Sequence, residues 1–538
     1  MSPAMHTTDI VIAGAGSAGC ALAARLSENP ALNVTLIEAG SEARNRWIDI
    51  PIGYFKTVGD PRFDWRFETE ADPAMADRRL PWPRGKGLGG TSLINGMLYL
   101  RGHRRDYDRW AAKGNAGWDW ESVLPLFMRS QHRVHADGAT HGKGGPLAVS
   151  NLPRDPLSDA FIAAAGRCGI PATPDFNTGD NTGAGYFQMT TRDGVRQSTA
   201  RAFLDPVRQR PNLRVLTGLQ VTRVRFEGRR AVGIDATDAA NRTVAIDARR
   251  EVVLCAGAVQ SPQLLMLSGI GDAAQLQAHG IAVVHHLRGV GLNLQDHLQV
   301  RPSFQFHGVE TLNDVANSTW RSAREFLRYH LTRGGALNAG VYRAGAFFAL
   351  DAQEPDWPDI QIHFGLVSFD RPHQPPHPFP GITLSACLLR PFSRGRIDLA
   401  SSDPRAAPRI HPGYLEDPRD QRLAVAAVRK MREIAAQAPL ANVVARAHDP
   451  DASLQRDDEI LDWVRRRSGS IFHPVGTCAM GPAGDADAVV DSQLRVHGLS
   501  GVRVVDGSAM PDIVSGNTNA PIIMMAERAA DWIRMDAA

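Results

Sequence analysis

Cysteine is scarce in this chain, with five among 538 residues. The number is odd and no two cysteines form a CxxC pair, which argues against a disulfide scaffold and against a structural zinc site. We therefore expect no structural metal. Cys20 and Cys255 stand in apolar surroundings and are expected to be small buried hydrophobes.

The net charge is small, and long apolar runs are lacking as well. The 60 basic and 57 acidic side chains leave a net charge of +3, which argues against a dedicated nucleic-acid surface. No apolar stretch approaches the ~20 residues of a membrane span. Residues 1–8 have neither the basic nor the apolar part of a signal peptide. We expect a soluble, cytoplasmic protein without a transmembrane segment.

The opening of the chain carries a dinucleotide-binding pattern. An uncharged apolar run predicts a buried parallel strand, and Gly14-Ala-Gly16-Ser-Ala-Gly19 then turns the chain into a helix. Gly14 permits the tight turn, Gly16 lets a pyrophosphate approach, and Gly19 lets the helix pack on the strand. Glu38 ends the next strand, where an acid can hold the ribose hydroxyls of an adenosine. The alternative is a glycine-rich turn that binds nothing.

The order of the predicted elements indicates an α/β fold, α+β overall. The 538 residues exceed what one core usually holds, so two or more domains are expected. A parallel sheet is expected from strands dispersed along the chain, at residues 9–13, 34–38, 212–226, 231–253 and 502–506. Residues 300–465 hold alternating strands, such as 382–388 and 396–399, and indicate an inserted antiparallel sheet with helices.

Two helices are expected beside glycine-containing loops. One should start at Ser261-Pro262, after the buried strand that ends at Cys255. The other should cover residues 522–533, with Asn519 as its N-cap and Pro521 in its first turn. A second glycine-dense loop, residues 84–96, is expected to lie closely against something flat or charged.

Four separated segments resemble the glucose–methanol–choline (GMC) family of flavin oxidoreductases, especially its bacterial choline-dehydrogenase-like and alcohol dehydrogenase members. One is the opening pattern. The others are Gly85-Lys-Gly-Leu-Gly-Gly-Thr-Ser-Leu-Ile-Asn95, Gly257-Ala-Val-Gln-Ser-Pro-Gln-Leu-Leu-Met-Leu-Ser-Gly-Ile-Gly271, and His473-Pro-Val-Gly-Thr-Cys-Ala-Met-Gly481 together with residues 506–521. The resemblance covers nearly the whole chain. It implies a Rossmann-like FAD-binding domain and an antiparallel-sheet substrate domain.

The same resemblance implies the domain limits and the cofactor site. The FAD-binding domain would comprise residues 1–155, 201–299 and 466–538, and the substrate domain residues 156–200 and 300–465. The residues implied in FAD binding are Gly14, Gly16, Ser17, Ala18, Gly19, Glu38, Ala39, Gly89, Gly90, Thr91, Asn95, Gly96, Met97, Leu98, Val221, Ala256, Gly257, Asp506, Gly507, Asn517, Thr518 and Asn519.

Ile94 predicts that the FAD is bound non-covalently. Certain oxidases of the family carry a histidine at the matching position, and that histidine bonds covalently to the flavin. Isoleucine has no nucleophilic atom and cannot form the bond.

His473 and Asn517 are the catalytic candidates. Oxidation of an alcohol requires a base for the O–H proton, and histidine suits this task near neutral pH. A lone histidine is more often a surface or core residue, but the family places a histidine in this His-Pro-x-Gly-Thr context beside flavin N5. Asn517 follows 44 residues later, a spacing that the family shares. It can donate a hydrogen bond to developing negative charge, or it can merely shape its turn.

Arg343 and Phe472 are expected at the substrate. Choline dehydrogenases resemble the segment 340–345 but carry glutamate where Arg343 stands. An arginine there would repel a quaternary ammonium, so choline is not the expected substrate. The alternative is that Arg343 pairs with a structural acid.

The predicted function is FAD-dependent oxidation of an alcohol to an aldehyde or ketone, with hydride transfer to flavin N5. We expect a dehydrogenase that uses an acceptor other than O₂, such as a quinone or dye. The alternatives are an oxidase producing hydrogen peroxide and a non-redox lyase of the hydroxynitrile lyase kind. The sequence leaves open the alcohol, the acceptor, peripheral membrane association for electron transfer, and homo-oligomerisation.

Overall fold

Two large β-sheets organise the chain in the computed structural model, which describes residues 6–133, 139–350, 353–370 and 374–537. The chain alternates between them and crosses from one to the other four times. This alternation brings distant segments of the sequence to shared edges of the sheets. The domain limits given above remain a prediction.

The first sheet has seven strands and a parallel centre. Its strands lie in the order Leu213–Thr217, Val34–Glu38, His6–Ala13, Thr243–Leu254, Arg230–Thr237 and Gln220–Glu227, with Val502–Val504 also beside Thr243–Leu254. The hairpin over residues 220–237 is antiparallel. The strand at 34–38 is buried along its whole length, which fits its almost uncharged sequence. The predicted parallel sheet is confirmed.

The helix Ser17–Leu26 packs on this sheet and against the C-terminal helix Asn519–Ala537. The two helices are joined by a buried ion pair, in which Arg25 Nε lies 2.9 Å from Glu527 Oε2. The C-terminal helix is longer than the expected 522–533: it begins earlier, where Ala520 and Pro521 are buried, and it continues past Ile533 to Ala537.

The second sheet has eight strands, and each of its pairings is antiparallel. Its strands lie in the order Val444–Asp449, Ser303–Phe306, Gly381–Leu388, Ile360–Gly365, Tyr342–Phe348 and Gly183–Tyr186, with Leu298–Val300 beside Gly381–Leu388 and Gly469–Ser470. The helices Pro156–Arg167 and Pro418–Ala435 pack on it. The expected antiparallel sheet is confirmed, while the strand expected at 396–399 pairs elsewhere.

Five smaller sheets and several short helices complete the described part of the chain. A four-stranded sheet contains Leu98–Tyr99, Gln188–Met189, Leu147–Asn151 and Gln131–Arg133, and the strand pairs are Phe67–Glu68 with Pro81–Trp82, Thr191–Arg192 with Val195–Arg196, Ile270–Gly271 with His285–His286, and Arg396–Asp398 with Arg409–His411. The remaining α-helices are Arg46–Asp49, Tyr54–Thr57, Arg104–Ala112, Trp120–Ser130, Gly257–Leu267, Ala273–Ala278, Leu312–Ala316, Thr319–Thr332 and Asp457–Arg467, and the single-turn helices are Pro51–Gly53, Pro73–Met75, Gly90–Leu93, Ala200–Leu204, Asp205–Val207, Leu440–Asn442 and Gly507–Ala509.

The helix expected to start at Ser261-Pro262 starts earlier, at Gly257. Gly257 has φ +83°, so the chain can turn directly out of the preceding strand. Pro262 lies inside the helix and offers no N–H to the carbonyl of Ala258. The Thr477 hydroxyl donates to that carbonyl at 2.7 Å instead. A distant residue therefore satisfies the group that the proline leaves unpaired.

All five cysteines are free, as the sequence indicated, and Cys20 and Cys255 are buried. Among the described helices, none combines the length and the apolar character needed to cross a bilayer.

Candidate active site

An elongated cavity is lined by residues of both large sheets. Most of the residues implied in FAD binding lie on its wall: Gly14, Gly16, Ser17, Ala18, Glu38, Ala39, Gly90, Thr91, Asn95, Gly96, Met97, Leu98, Val221, Ala256, Gly257, Asp506, Gly507, Asn517, Thr518 and Asn519. Gly19 and Gly89 lie behind the wall. A Cβ on Gly19 would stand 1.9 Å from the Gly14 carbonyl oxygen, and Gly89 N–H donates to the Ala15 carbonyl at 2.8 Å.

The nucleotide end of the cavity, formed by residues 14–18, 38–39 and 90, is a backbone surface. The helix that begins at Ser17 has no side-chain cap, so its first N–H groups remain available to an anion. The second glycine-dense loop packs directly against this turn. A Cβ added to Gly90 would lie only 2.6 Å from Gly16 Cα, so a side chain larger than that of glycine does not fit there. Ser17 Oγ donates to Asn519 Oδ1 at 2.7 Å and joins the start of the C-terminal helix to the site. These features fit a pyrophosphate.

Glu38 joins three loops at the nucleotide end. Its carboxylate accepts backbone N–H groups from Ala15 at 3.0 Å, Gly40 at 2.8 Å and Gly87 at 3.0 Å. Burial raises the pKa of Glu38, and these three hydrogen bonds oppose the rise. A carboxylate offers about four acceptor positions, so one position remains for a ribose hydroxyl. Glu38 is thus a structural acid that can also meet the ribose.

Asn95 is held in place by a buried arginine, Arg196, that no sequence motif marks. Arg196 NH1 donates to the Asn95 backbone oxygen at 2.7 Å and to its Oδ1 at 2.8 Å, and Arg196 Nε donates to the Ile48 carbonyl at 2.9 Å. Burial lowers the pKa of Arg196 to about 9. The following Gly96 has open space where its Cβ would be, so the wall is free of side-chain bulk there.

Asp506 stabilises the turn into the helix Gly257–Leu267. Its Oδ2 accepts from Gly257 N–H at 2.8 Å and from the Ser261 hydroxyl at 2.6 Å, and its Oδ1 accepts from Ser508 N–H at 2.8 Å. Burial raises the pKa of Asp506. Like Glu38, Asp506 lies on the cavity wall, and its carboxylate already accepts several hydrogen bonds from the protein.

His473 has one ring nitrogen engaged by the protein and one directed toward Asn517. His473 Nδ1 lies 3.0 Å from His297 Nδ1, and His297 Nε2 lies 3.0 Å from the Leu389 carbonyl oxygen. A carbonyl only accepts, so His297 carries its proton on Nε2 and presents Nδ1 as an acceptor. His473 must then donate from Nδ1. The hydrogen-bond network thereby assigns the basic lone pair of His473 to Nε2.

The surroundings of His473 keep it neutral. Burial, and then His297, His363 and Arg84, lower its pKa well below the usual 6.5. Burial also lowers the pKa of His297 to about 4. The backbone N–H of His473 donates to Asp296 Oδ1 at 2.7 Å, which anchors the residue in its loop. At neutral pH the imidazole is therefore an unprotonated base.

Asn517 meets His473 as the 44-residue spacing predicted. Its Nδ2 donates to His473 Nε2 at 3.0 Å, and its Oδ1 accepts from Gln361 Nε2 at 3.4 Å. Gln361 thus orients the amide so that its donor group points toward the histidine. A base and a hydrogen-bond donor converge on one point of the cavity wall.

The substrate end of the cavity is formed by side chains from the second sheet, from the loops beside it and from the short helix Tyr54–Thr57. Its members besides His473 and Asn517 are Tyr54, Phe55, Gln299, Arg301, Tyr342, His363, Phe369 and Phe472. Only Phe472 of these eight was predicted. A signal for two of them was present: His297, Gln299 and Arg301 alternate across the strand Leu298–Val300 and the residue on each side of it, and alternate residues of extended chain share a face.

Arg343 requires a correction. It does not line the cavity, and its NH1 lies 3.7 Å from Asp155 Oδ2, so the side chain pairs with a structural acid. The strand pairing is irregular at this residue, between Tyr342 and Ala344. Of these three consecutive residues, Tyr342 alone lines the cavity. Phe472 lies on the cavity wall with φ +71°, and Arg84 NH2 donates to its carbonyl at 2.6 Å.

Comparison with known proteins places these features in a family. Models of the GMC oxidoreductases match residues 8–299 and 391–526. An alcohol dehydrogenase (acceptor) from Pseudomonas putida is 42% identical over 98% of this chain and 95% of its own length. An oxygen-dependent choline dehydrogenase from Chromohalobacter salexigens is 40% identical over 98% of this chain and 94% of its own.

Solved structures show the same fold. Pyridoxine 4-oxidase from Mesorbium loti superposes with a TM-score of 0.88 at 32% identity, covering 98% of this chain and 99% of that one. A fungal aryl-alcohol oxidase superposes with a TM-score of 0.85 at 26% identity over 98% of this chain and 99% of its own. The chain therefore belongs to the GMC oxidoreductases, a family of FAD-dependent enzymes that oxidise alcohols.

Proposed function

We propose that this chain is an FAD-dependent alcohol dehydrogenase in which His473 is the base and Asn517 the hydrogen-bond donor to the reacting oxygen. The observation that carries the proposal is the 3.0 Å contact between His473 Nε2 and Asn517 Nδ2, at a point where a hydroxyl can reach both. Glu38, Asp506, Asn95 and the glycine turn would hold the FAD.

A bound FAD would supply the hydride acceptor for the alcohol carbon. The protein handles the proton: His473 Nε2 takes it from the hydroxyl, while Nδ1–H continues to donate to His297. Asn517 turns its Nδ2–H from the histidine to the alkoxide oxygen and stabilises the charge that develops there. The alcohol loses one proton to His473 and one hydride to the cofactor, and leaves as an aldehyde or ketone.

The test is anaerobic reduction of the bound flavin by a panel of aliphatic, aryl, polyol and hydroxy-acid alcohols. At least one alcohol should bleach the flavin absorbance with formation of one carbonyl product per flavin. Consumption of a cyanohydrin with no bleaching by any alcohol would favour a lyase instead. Dye reduction measured beside hydrogen peroxide production separates a dehydrogenase from an oxidase, and we expect dye reduction to be faster.

We further propose that the protein works at a membrane surface, where a lipid-soluble acceptor such as a quinone is available. Six large apolar side chains are exposed in the described residues, and three lie on one helix, Thr319–Thr332: Trp320 at 75%, Leu327 at 59% and Leu331 at 75%. Spacings of seven and four residues place all three on one helix face. Basic flanks and an apolar face with Trp and Leu are typical of helices that lie on a bilayer.

Charge favours an anionic bilayer over a second copy of the chain as the occupant of this face. Residues 319–333 hold four arginines and one glutamate, a net charge of +3, which equals the net charge of the whole protein. Two copies meeting through this face would oppose like charges. Anionic headgroups would neutralise them.

Sedimentation with lipid vesicles tests the membrane proposal. The protein should bind vesicles of phosphatidylglycerol and phosphatidylcholine more tightly than vesicles of phosphatidylcholine alone. The combined change Trp320→Ser, Leu327→Ser, Leu331→Ser should abolish binding, and the control Phe392→Ser, on another surface, should not. The proposal would be contradicted if the protein did not bind vesicles, or if wild type were a dimer that the combined change converts to monomers.

A further inference from the structure

Three polar residues, His297, Gln299 and Arg301, alternate along the chain at the strand Leu298–Val300, and the first of them contacts His473. His297 lies just before the strand, Gln299 within it and Arg301 just after it. Alternate residues point to the same side of a strand. Gln299 and Arg301 accordingly both line the cavity.

Arg301 has no partner for its donors among the described residues. Its guanidinium stands over the Phe369 ring, 5.0 Å from the centroid, and no side-chain or carbonyl oxygen in the described ranges forms an ion pair or hydrogen bond with it. The other arginine of the cavity differs, because Arg84 donates to the Phe472 and Pro83 carbonyls. A guanidinium has five N–H donors, and those of Arg301 are left for a ligand.

Neither of the described acidic groups that line the cavity pairs with Arg301. Among the described residues that line the cavity, the carboxylates are Glu38 and Asp506, and each already accepts three or more hydrogen bonds from the protein. The substrate end therefore holds the positive charge of Arg301 with no carboxylate beside it. A cation would be repelled there and an anion attracted.

We propose that Arg301 binds the carboxylate of the substrate, and that the substrate is an alcohol with an acid group several bonds from its hydroxyl carbon. The inference rests on the function proposed above. Successive alternate residues of a strand are about 6.6 Å apart, so Arg301 stands about two such steps from His297. A planar guanidinium pairs with a carboxylate through two parallel hydrogen bonds. Choline, the substrate named for several relatives, carries the opposite charge.

Three alcohols with the same number of chain carbons and different charge test the proposal with the holoenzyme: 6-hydroxyhexanoate, 1-hexanol and 6-trimethylammonio-1-hexanol. Wild type should show the highest kcat/KM with the hydroxy acid and the lowest with the cation. Arg301→Gln should lower kcat/KM for the hydroxy acid about 10- to 100-fold, the usual range for a charged hydrogen-bonded pair. The value for 1-hexanol should change little, and Arg301→Lys should retain part of the preference.

Arg343→Gln is the matched control, because it removes an arginine of the same sheet that lies outside the cavity. It should leave the order of the three alcohols unchanged. The proposal fails if Arg301→Gln lowers all three values equally, if wild type prefers the cation, or if the variant loses its FAD, which would assign Arg301 to the cofactor.

Binding of hexanoate separates this proposal from the proposed function. Hexanoate cannot be oxidised as an alcohol, and its binding is followed by the change in flavin absorbance. Its Kd should rise about 10- to 100-fold in Arg301→Gln. Arg301-dependent binding without oxidation of any alcohol would reject the proposed function and keep the acid-binding site. Oxidation of 1-hexanol without Arg301-dependent binding of hexanoate would keep the proposed function and reject the acid-binding site.

Discussion

The two ends of the cavity are built in opposite ways. The nucleotide end consists largely of glycines, a helix N-terminus and backbone N–H groups, and the contacts of Glu38 and of Gly90 with the glycine turn all lie within the first 90 residues. The substrate end consists of side chains that the fold brings together from far apart, such as His297 and His473, 176 residues from each other. Recognition of a common cofactor can be encoded locally, while the arrangement that selects and activates one substrate depends on the second sheet.

The electrostatics of the two ends differ in the same way. Backbone and hydroxyl donors of the protein hold the carboxylates of Glu38 and Asp506, while the first N–H groups of the helix Ser17–Leu26 remain available to an anion. At the substrate end, burial lowers the pKa of His297 to about 4 and that of His363 to about 3, so these histidines stay neutral around the base. We therefore expect substitutions at the substrate end to change the chemistry and to leave FAD binding intact.

The largest effect is expected from His473→Ala. Loss of the base should lower the rate of anaerobic flavin reduction about 10²- to 10⁴-fold, the usual contribution of general acid–base catalysis. The FAD content, measured from the ratio of flavin to protein absorbance, should stay near that of wild type. A variant that reduces its flavin at the wild-type rate would remove His473 from the proposed mechanism.

Asn517→Ala should lower the same rate less, about 10²-fold, because it removes a donor to the developing alkoxide and no proton acceptor. The change should appear in kcat more than in KM, since the hydrogen bond strengthens with the charge. Stopped-flow reduction across substrate concentrations separates the two. A purely structural Asn517 would instead change flavin binding or thermal stability without lowering the limiting rate.

His297→Phe tests the positioning role of the buried histidine pair. It removes the acceptor for His473 Nδ1–H, and we expect the limiting rate of flavin reduction to fall about 10-fold, since a buried donor is left unpaired. His297→Asn keeps a side-chain acceptor and should restore most of the rate. Equal losses in both variants would mean that the shape of His297 matters and its hydrogen bond does not.

The pH dependence should show a base with a low pKa. His473 must be unprotonated to act, and its pKa lies well below 6.5, so kcat/KM should be level above neutral pH and fall only in more acidic solution. Besides burial, His297, His363 and Arg84 lower the pKa of His473, and the Asp296 carboxylate contacts the backbone N–H of this residue. A midpoint above 7 with an uncharged alcohol would contradict this assignment.

The smallest effect concerns Ile94, which lies on the cavity wall. Acid precipitation should release all of the FAD into the supernatant, because no nucleophile stands at this position. Ile94→Val should behave in the same way. Flavin that remains with the precipitate would show a covalent bond made by another residue.

Most of the nucleotide end could be predicted from the sequence. The glycine turn, Glu38, the loop 85–96 and the Asp506 region all lie on one cavity, as their motifs indicated. The start of the helix at Gly257 was missed because Thr477, a distant residue, satisfies the carbonyl that Pro262 leaves unpaired. Arg196 was missed because its role is to clamp Asn95 from another part of the chain.

The substrate end was predicted only where a motif marked it. His473 and Asn517 meet, but His297, Gln299, Arg301 and His363 went unrecognised. Arg343 was chosen by position in a resembling segment, and the strand irregularity beside it leads its side chain to Asp155 instead.

The sequence by itself determined the fold class, the dinucleotide turn and the pair of catalytic candidates, because these depend on local backbone geometry and on short motifs. Only the tertiary structure decided which nitrogen of His473 is basic, which arginine reaches the cavity and where its acids lie. Those properties arise from contacts between segments that share no local pattern, and a change of one residue in strand register moves a side chain from one face of a sheet to the other.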